Sequence, residues 1–290
     1  MHVTGFSFIR NAIKYDYPVC EAIKSILPLC NDFVVAVGNS DDETLQLIEG
    51  IDPVKIKIIQ TIWDDSLREG GRVLAEETDK AFQAISEKAD WCFYIQGDEV
   101  MHEKYHESVM KAMELYLSDE RVDALLFDYL HFYGSYDYIA TASAWYKHEI
   151  RVVRNNKNIY SYRDAQGFRK NHNEVLNVKP VQAVIHHYGW VKPPANMQMK
   201  QNYFQKLWHD DEWVNSNVAS ADEFDYSQID RLEVFKGSHP AVMKERIERI
   251  NWKFSHDISR NTTSLKDKLK SLAKKYIGKD FNYQNYRIIK

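Results

Sequence analysis

Cysteine is scarce in this chain: Cys20, Cys30 and Cys92 are all that its 290 residues contain. The number is odd and no Cys-x-x-Cys pair occurs, which argues against a disulfide framework. Reduced, buried thiols are the simplest reading and point to the cytoplasm. Long apolar runs are missing as well. None reaches 18 residues, so no membrane-spanning helix is expected. The start, "MHVTGFSFIRN", lacks the charged segment, long apolar stretch and small-residue cleavage site of a signal peptide. An excess of positive charge is also absent. Lys and Arg number 38 against 42 Asp and Glu, a net charge of −4, which makes nucleic acid a poor candidate partner. There is no internal repeat and no low-complexity segment. What the chain does have is 44% hydrophobic and 28% charged residues, enough to bury a sizeable core. Its 18 Tyr and 7 Trp serve that core in part and also suit flat, polar ligands such as sugars and nucleobases.

The first 100 residues alternate strand and helix signals. "VTGFSFI" (3–9), "FVVAVG" (33–38), "VKIKIIQ" (54–60) and "WCFYIQ" (91–96) read as strands. Helices are expected after Asp16-Tyr17-Pro18, where Ala22, Ile23, Ile26 and Leu27 share a face, after Ser40, and over about 71–88. Four β-then-α units in order predict an α/β fold: a mostly parallel central sheet flanked by helices. Later strand-like runs at 123–134, 148–155, 158–163 and 181–189 predict antiparallel additions. From Pro193 the pattern turns helical, at 196–210 and 240–254. The tail "SLKDKLKSLAKKYIGK" (264–279) reads as a basic amphipathic helix, either a solvated face or a contact for an anionic membrane surface. The expected division is a catalytic domain over 1–190 and a mainly helical C-terminal extension over 191–290.

In open α/β sheets, ligands bind beyond the carboxyl ends of the strands. Three such ends carry polar clusters: Asn39-Ser40-Asp41-Asp42, Asp64-Asp65, and Gln96-Gly97-Asp98-Glu99. Each has an ordinary alternative. Ser40 to Glu43 can cap a helix, Asp64-Asp65 can start one, and Asp98-Glu99 can complement a helix dipole. Together they suit a hard divalent ion that neutralises a diphosphate.

This pattern resembles the family 2 glycosyltransferases of the GT-A fold over roughly residues 1–190. Arg10-Asn11 after the first strand looks like that family's opening pair. "NSDDET" (39–44) resembles its turn after strand 2, with Asp42 and Thr44 in matching places. "REGGRVLAEETDKAF" (68–82) is similar to its basic helix near the diphosphate. "QGDE" (96–99) resembles its Asp-x-Asp-Glu strand end, "HNE" (172–174) its acceptor-side element, and "HHYG" (186–189) a later strand end. Two positions depart from the family: Val37 stands where an Asp near the nucleobase is usual, and Gln96 replaces the first Asp of the metal motif.

The resemblance implies transfer of a sugar from a nucleotide-diphosphate sugar to a hydroxyl on a saccharide or lipid-linked acceptor, with inversion, in cell-surface polysaccharide or glycolipid synthesis. It implies Mn²⁺ or Mg²⁺ on Asp98 and His187, with His186 on the opposite face of its strand. Arg10, Asn39, Asp42, Asp65, Gln96 and Gly97 are expected around the donor, and Arg68 or Arg72 on its phosphates. Glu174 is the expected general base, with His172 orienting or replacing it. The aromatic stretch 129–146 is either an acceptor platform or edge-strand packing. A non-catalytic binding protein on the same fold is the alternative, motivated by Val37 and Gln96. A nucleotidyltransferase ranks low, because "RNAIKYDYP" after strand 1 lacks a glycine-rich loop.

Overall fold

Side-chain alternation decides the layering. The computed structural model describes residues 1–218, 221–262 and 284–290, so the basic stretch 264–279 lies outside the described residues. Strand β1 (Val3–Ile9) leads to helix α1 (Val19–Ile26), β2 (Asp32–Gly38) to α2 (Thr44–Glu49), and β3 (Ile56–Thr61) to α3 (Arg72–Gln83). Next come β4 (Trp91–Tyr94), the short β5 (Glu99–Met101) and α4 (His106–Leu115). On β2, Phe33, Val35 and Val37 pack with Val19, Ala22, Ile23 and Ile26 of α1. Val34 and Ala36 pack on the other face with Val73, Ala81 and Phe82 of α3. Burial on both faces is why this strand is one unbroken apolar run. Each Val, Ile or Phe among them, fully buried, contributes about 1.5–3 kcal/mol.

The second half adds β6 (Ala124–Tyr133), β7 (Tyr138–Ala140), β8 (His148–Arg154), β9 (Ile159–Tyr162), β10 (Gly167–Lys170) and the long β11 (Glu174–Trp190). It continues with α5 (Pro194–Lys206), α6 (Asp211–Asn217), β12 (Leu232–Val234), α7 (Lys244–Glu248) and β13 (Tyr286–Ile288). The main sheet has the order β3-β2-β1-β4-β8-β6-β11-β10-β9. Strands β1 to β4 are parallel, β8 is antiparallel between β4 and β6, and β11 is parallel to β6. So β1, β2, β4, β6 and β11 all bring their C-terminal ends to one rim. This is the expected α/β class, a mostly parallel centre with antiparallel additions.

Several boundaries differ from the sequence expectation. Strand β11 begins at Glu174, well before 181, because a register shift between Pro180 and Val184 lets the strand run through Pro180. The helix expected over 196–210 ends at Lys206, and α6 restarts where the Asp210 side chain accepts from Trp213 N at 2.8 Å. The helix expected over 240–254 shrinks to a 3₁₀ turn at Ala241–Met243 and the short α7. The one expected over 71–88 stops at Gln83.

One buried ion pair ties the central strands together. Glu99 and Arg151 have no exposed side-chain surface and meet through two bonds, Nε to Oε2 at 2.7 Å and Nη2 to Oε1 at 2.6 Å. Tyr129 Oη (2.9 Å) and the Gln96 backbone N–H (3.1 Å) also donate to that carboxylate. Strands β5, β6 and β8 are thereby locked to the end of β4. Leaving one buried charge unpaired costs about 3–5 kcal/mol. Arg151→Ala is therefore expected to lose about that much stability in urea denaturation. The double variant Glu99→Leu/Arg151→Met should lose less than Arg151→Ala alone. A loss under about 1 kcal/mol for the single variant would show that the pair does not hold these strands.

Candidate active site

At the common rim lies a cavity of about 390 Å³ whose walls include Gln96, Gly97, Asp98, Asp164, His187 and Lys200. Its residues come from both sides of position 190, since Lys200, Tyr203 and Phe204 belong to α5. The register of β5 on β11 sets Glu99 opposite His187, which brings the neighbouring Asp98 beside the end of β11. The Tyr188 N–H closes that junction on the Asp98 carbonyl at 2.8 Å. Glu99 points into the core and Asp98 into the cleft, so the two adjacent carboxylates do different work.

Asp98 Oδ1 is 3.8 Å from His187 Nε2, and its Oδ2 is 3.3 Å from Lys200 Nζ, with all three side chains nearly buried. Lys200 Nζ also donates to the Gly189 carbonyl at 2.8 Å. A glycine is needed at 189, because a Cβ there would lie 2.6 Å from both Asp98 Oδ2 and His187 Nε2. Burial alone would push the Asp98 carboxyl up, but the charges of Lys200, His187 and Lys192 outweigh it and hold it down at about 2. His187 contributes only when protonated, and burial lowers it to about 4. At neutral pH, Lys200 is thus the foremost charge on Asp98.

Hydrogen bonding fixes the tautomer of His187. His131 Nε2 lies 2.7 Å from the Tyr146 carbonyl, which can only accept, so that nitrogen carries the proton. Burial and His187 lower His131 to about 3, so it is neutral and its Nδ1 is an acceptor. His187 Nδ1, 3.1 Å away, then carries the proton, and His187 Nε2 offers a lone pair toward Asp98. A carboxylate oxygen and an imidazole lone pair thus face each other at a separation that two bonds of about 2.1 Å span. The pair fits two positions around one divalent ion. Among the described residues no group of three His, Cys, Asp or Glu could hold a metal.

A second group of expected residues sits beside this cavity. Arg10 donates to the Asn39 carbonyl (3.1 Å), to Asp65 (2.7 Å) and to Tyr203 Oη (3.3 Å), and Tyr203 lines the cavity. Tyr15 stacks on Tyr203 with ring centroids 5.0 Å apart. Asp42 turns to the backbone instead, accepting from Lys14 N (2.8 Å) and Thr44 N (3.0 Å), and so clamps the β1–α1 loop to the start of α2. Ser40 does not cap α2: its hydroxyl accepts from Asn11 N instead. Gln96 points its amide at Tyr94 Oη and the Ala165 carbonyl.

Other expected residues stay apart from the cavity. Arg68 pairs with Asp211 at 2.8 Å, and Arg72 lies exposed beside Glu76. Glu174 and His172 are exposed at the β10–β11 hairpin. Glu174 stands thirteen positions before His187 on the same strand, roughly 40 Å away along it and on the opposite rim. Glu174, the expected general base, therefore lies at the opposite end of β11 from the cleft. Of the aromatic stretch 129–146, Tyr146 reaches the cavity, while Phe132, Tyr133 and Tyr136 are core. Lys192, Lys200, Tyr17 and Asp164 were not singled out by the sequence, since no spacing marks them.

No family model matches the chain, and no curated protein matches it. Solved structures do. A crystal structure of S. aureus TarS matches at 12% identity over 70% of this chain and 39% of that one, with a TM-score of 0.40. Glucosyl-3-phosphoglycerate synthase from Mycobacterium tuberculosis, in complex with Mn²⁺, UDP and phosphoglyceric acid, matches at 18% over 45% and 43%, TM-score 0.29. A 4-diphosphocytidyl-2C-methyl-D-erythritol synthase from Anaerococcus prevotii matches at 9% over 66% and 89%, TM-score 0.36. The chain thus spans about two fifths of the length of the TarS chain it matches. With TM-scores of this size, what the chain does has to be read from its own residues.

The buried histidines make stability depend on pH. Burial lowers His186 to about 3, like His131, and His187 to about 4. The unfolded chain takes up these protons first, near pH 6.5, so their share of stability is complete above 6.5 and falls as pH drops toward 4. Two buried carboxyls work in the opposite direction, since burial pushes Glu149 up to about 8 and Asp79 to about 7. The share of one histidine is isolated by His187→Gln. Between pH 6.5 and 4 its urea-denaturation stability should fall less steeply than wild type's, by up to about 1.4 kcal/mol per pH unit. Equal slopes would mean that His187 is not held neutral.

Proposed function

We propose that this chain is a transferase that moves a sugar from a nucleotide-diphosphate sugar to a hydroxyl acceptor. The observation that carries this reading is the ionised Asp98 facing the lone pair of His187 and the ammonium of Lys200 in one cavity at the carboxyl rim of the sheet. Asp98 and His187 are the groups that would hold Mn²⁺ or Mg²⁺, which when bound supplies Lewis-acid stabilisation of the leaving diphosphate. Imidazole favours Mn²⁺ of the two. Arg10, with Asn39, Asp65 and the stacked Tyr15–Tyr203 pair, forms the nucleotide side of the cleft. Tyr146 gives the sugar an aromatic wall.

The cavity's second carboxylate is Asp164, and it takes the base's role in place of Glu174. Burial raises the Asp164 carboxyl above its ordinary value, toward the range in which a carboxylate accepts a proton well at neutral pH. In the transfer, the bond from the sugar's anomeric carbon to the diphosphate oxygen breaks and its electron pair leaves on that oxygen. The acceptor's hydroxyl oxygen forms the new bond, and its proton passes to Asp164. Attack from the face opposite the diphosphate inverts the anomeric centre. A saccharide or lipid-linked acceptor, and a place in cell-surface polysaccharide or glycolipid synthesis on the cytoplasmic side, go with this reading. So does contact of the basic stretch 264–279 with an anionic membrane. No helix among the described residues is long and apolar enough to cross a membrane. The neutral Gln96, turned to Tyr94 and Ala165, favours a second reading: a non-catalytic sugar-nucleotide-binding protein.

The test is release of nucleoside diphosphate from a panel of UDP- and GDP-sugars, with isothermal titration of UDP and GDP alongside. Asp164→Asn is expected to slow release about 10²–10⁴-fold while leaving nucleotide affinity within about threefold. Asp98→Asn is expected to weaken binding and turnover together. Binding without any release, with or without hydroxyl acceptors, would select the second reading. Absence of binding to every nucleotide would end both.

A further inference from the structure

The resemblance leaves the charge of the donor's diphosphate to a metal ion, yet the cavity already contains a cation of its own. Lys200 projects from α5 with its side chain 10% exposed, and its Nζ bonds Asp98 Oδ2 and the Gly189 carbonyl. An ammonium has three donors, so one is left for the cavity that Lys200 lines. Lys192, wholly buried, stands behind it and donates to the Asp16 carbonyl at 2.7 Å. The Nζ atoms of Lys192 and Lys200 both lie on the ring of Tyr17, at 4.3 Å and 5.1 Å from its centroid, a face that favours the charged form of whichever lysine carries the proton. The carboxylate count points the same way. With Gln96 neutral and turned aside, and Glu99 taken by Arg151, Asp98 is the one carboxylate of this strand end left to balance a cation, and one ammonium already matches it.

We propose that Lys200 is the counter-charge of the donor's diphosphate, so that this chain binds a nucleoside diphosphate without a divalent ion. The inference rests on the transferase reading, in which this cavity takes the diphosphate. Asp98 and the Gly189 carbonyl hold the ammonium in place, and the entering phosphate oxygen accepts its third N–H. As the bond from the anomeric carbon to the diphosphate oxygen breaks, the negative charge left on that oxygen lies against the ammonium, which stabilises it without giving up a proton. Lys192 stands behind it: burial and the charge of Lys200 lower it well below its ordinary value, and an entering phosphate favours its charged form. Gly189 belongs to the same device, because a Cβ there would run into the Asp98 carboxylate and the His187 ring that stand beside the lysine.

The experiment is isothermal titration of the full chain with pyrophosphate, UDP and GDP, each in EDTA and in Mn²⁺. Wild type is expected to bind at least one of the nucleotides, and pyrophosphate more weakly, with affinities in EDTA and Mn²⁺ that agree within about threefold. Lys200→Met, which keeps the side chain's length, is expected to lose about 10–100-fold in EDTA, the worth of a charged hydrogen bond. Lys200→Arg keeps the charge and is expected to recover most of that loss, and melting curves establish that both variants are folded. Wild-type binding that needs Mn²⁺, or Lys200→Met that binds in EDTA as tightly as wild type, overturns the inference and leaves the transferase reading standing. Failure of wild type to bind any of the three, with or without Mn²⁺, overturns the transferase reading and the inference with it.

Discussion

The buried contact between Glu99 and Arg151 is the constraint from which the rest of the rim follows. Two carboxylates in sequence repel each other, and neither is cheap to bury. Here the second is taken wholly into the core and satisfied by a guanidinium fork, a tyrosine hydroxyl and a backbone N–H. That anchors β5, which lies antiparallel on β11 with Glu99 opposite His187. The first carboxylate is then left on the outward side of the turn, against the imidazole. The position of Asp98 is therefore set from inside the protein, by an ion pair with no exposed side-chain surface.

The rest of the site is built from groups that correct one another's charge. A chain of two imidazoles ending on the Tyr146 carbonyl passes one tautomer to the next, so that the nitrogen facing Asp98 is the unprotonated one. A lone pair beside a carboxylate is repulsive, and Lys200 offsets the carboxylate's charge from its other oxygen. The helix carrying Lys200 lies beyond β11, and the supporting Tyr17 lies in the β1–α1 loop. Arg246 braces that loop from the C-terminal segment, reaching Asp16 (2.6 Å), Glu21 (2.9 Å) and the Tyr17 carbonyl (3.2 Å). Distant parts of the chain thus converge on one small volume, which explains why no short motif contains the site.

The same fact decides how much could be read from the sequence. Strands β1, β2 and β4 were legible because their burial on both faces writes a continuous apolar run. Strands β5 and β10 were not, being three and four residues whose pairing depends on partners far away. Asp98 and His187 were visible as polar residues at apolar strand ends. The "HNE" stretch resembles an acceptor-side element, but its place in the fold was not legible: Glu174 opens β11 where the "HHYG" stretch closes it, and the cavity lies at the closing end. Asn171 and Asn173, both with positive φ, make the "HNE" stretch a hairpin turn. Lys200 was invisible, because a lysine in a polar helix looks solvated until the helix is known to lie across a cleft.

A self-neutralised pocket has a consequence for specificity. Asp98 and Lys200 satisfy each other before any ligand enters, so the pair costs little while it waits. A neutral sugar alone gives neither member a better partner and gains little by displacing water around them. A diphosphate gives the ammonium a second anion without taking it from the first, since the two acceptors use different N–H bonds. A phosphate group also favours the charged form of Lys192, which burial and the charge of Lys200 otherwise push well below its ordinary value. On the proposed reading the pocket discriminates by charge first and by shape second: the lysines would take the diphosphate, and the aromatic wall would then select the sugar.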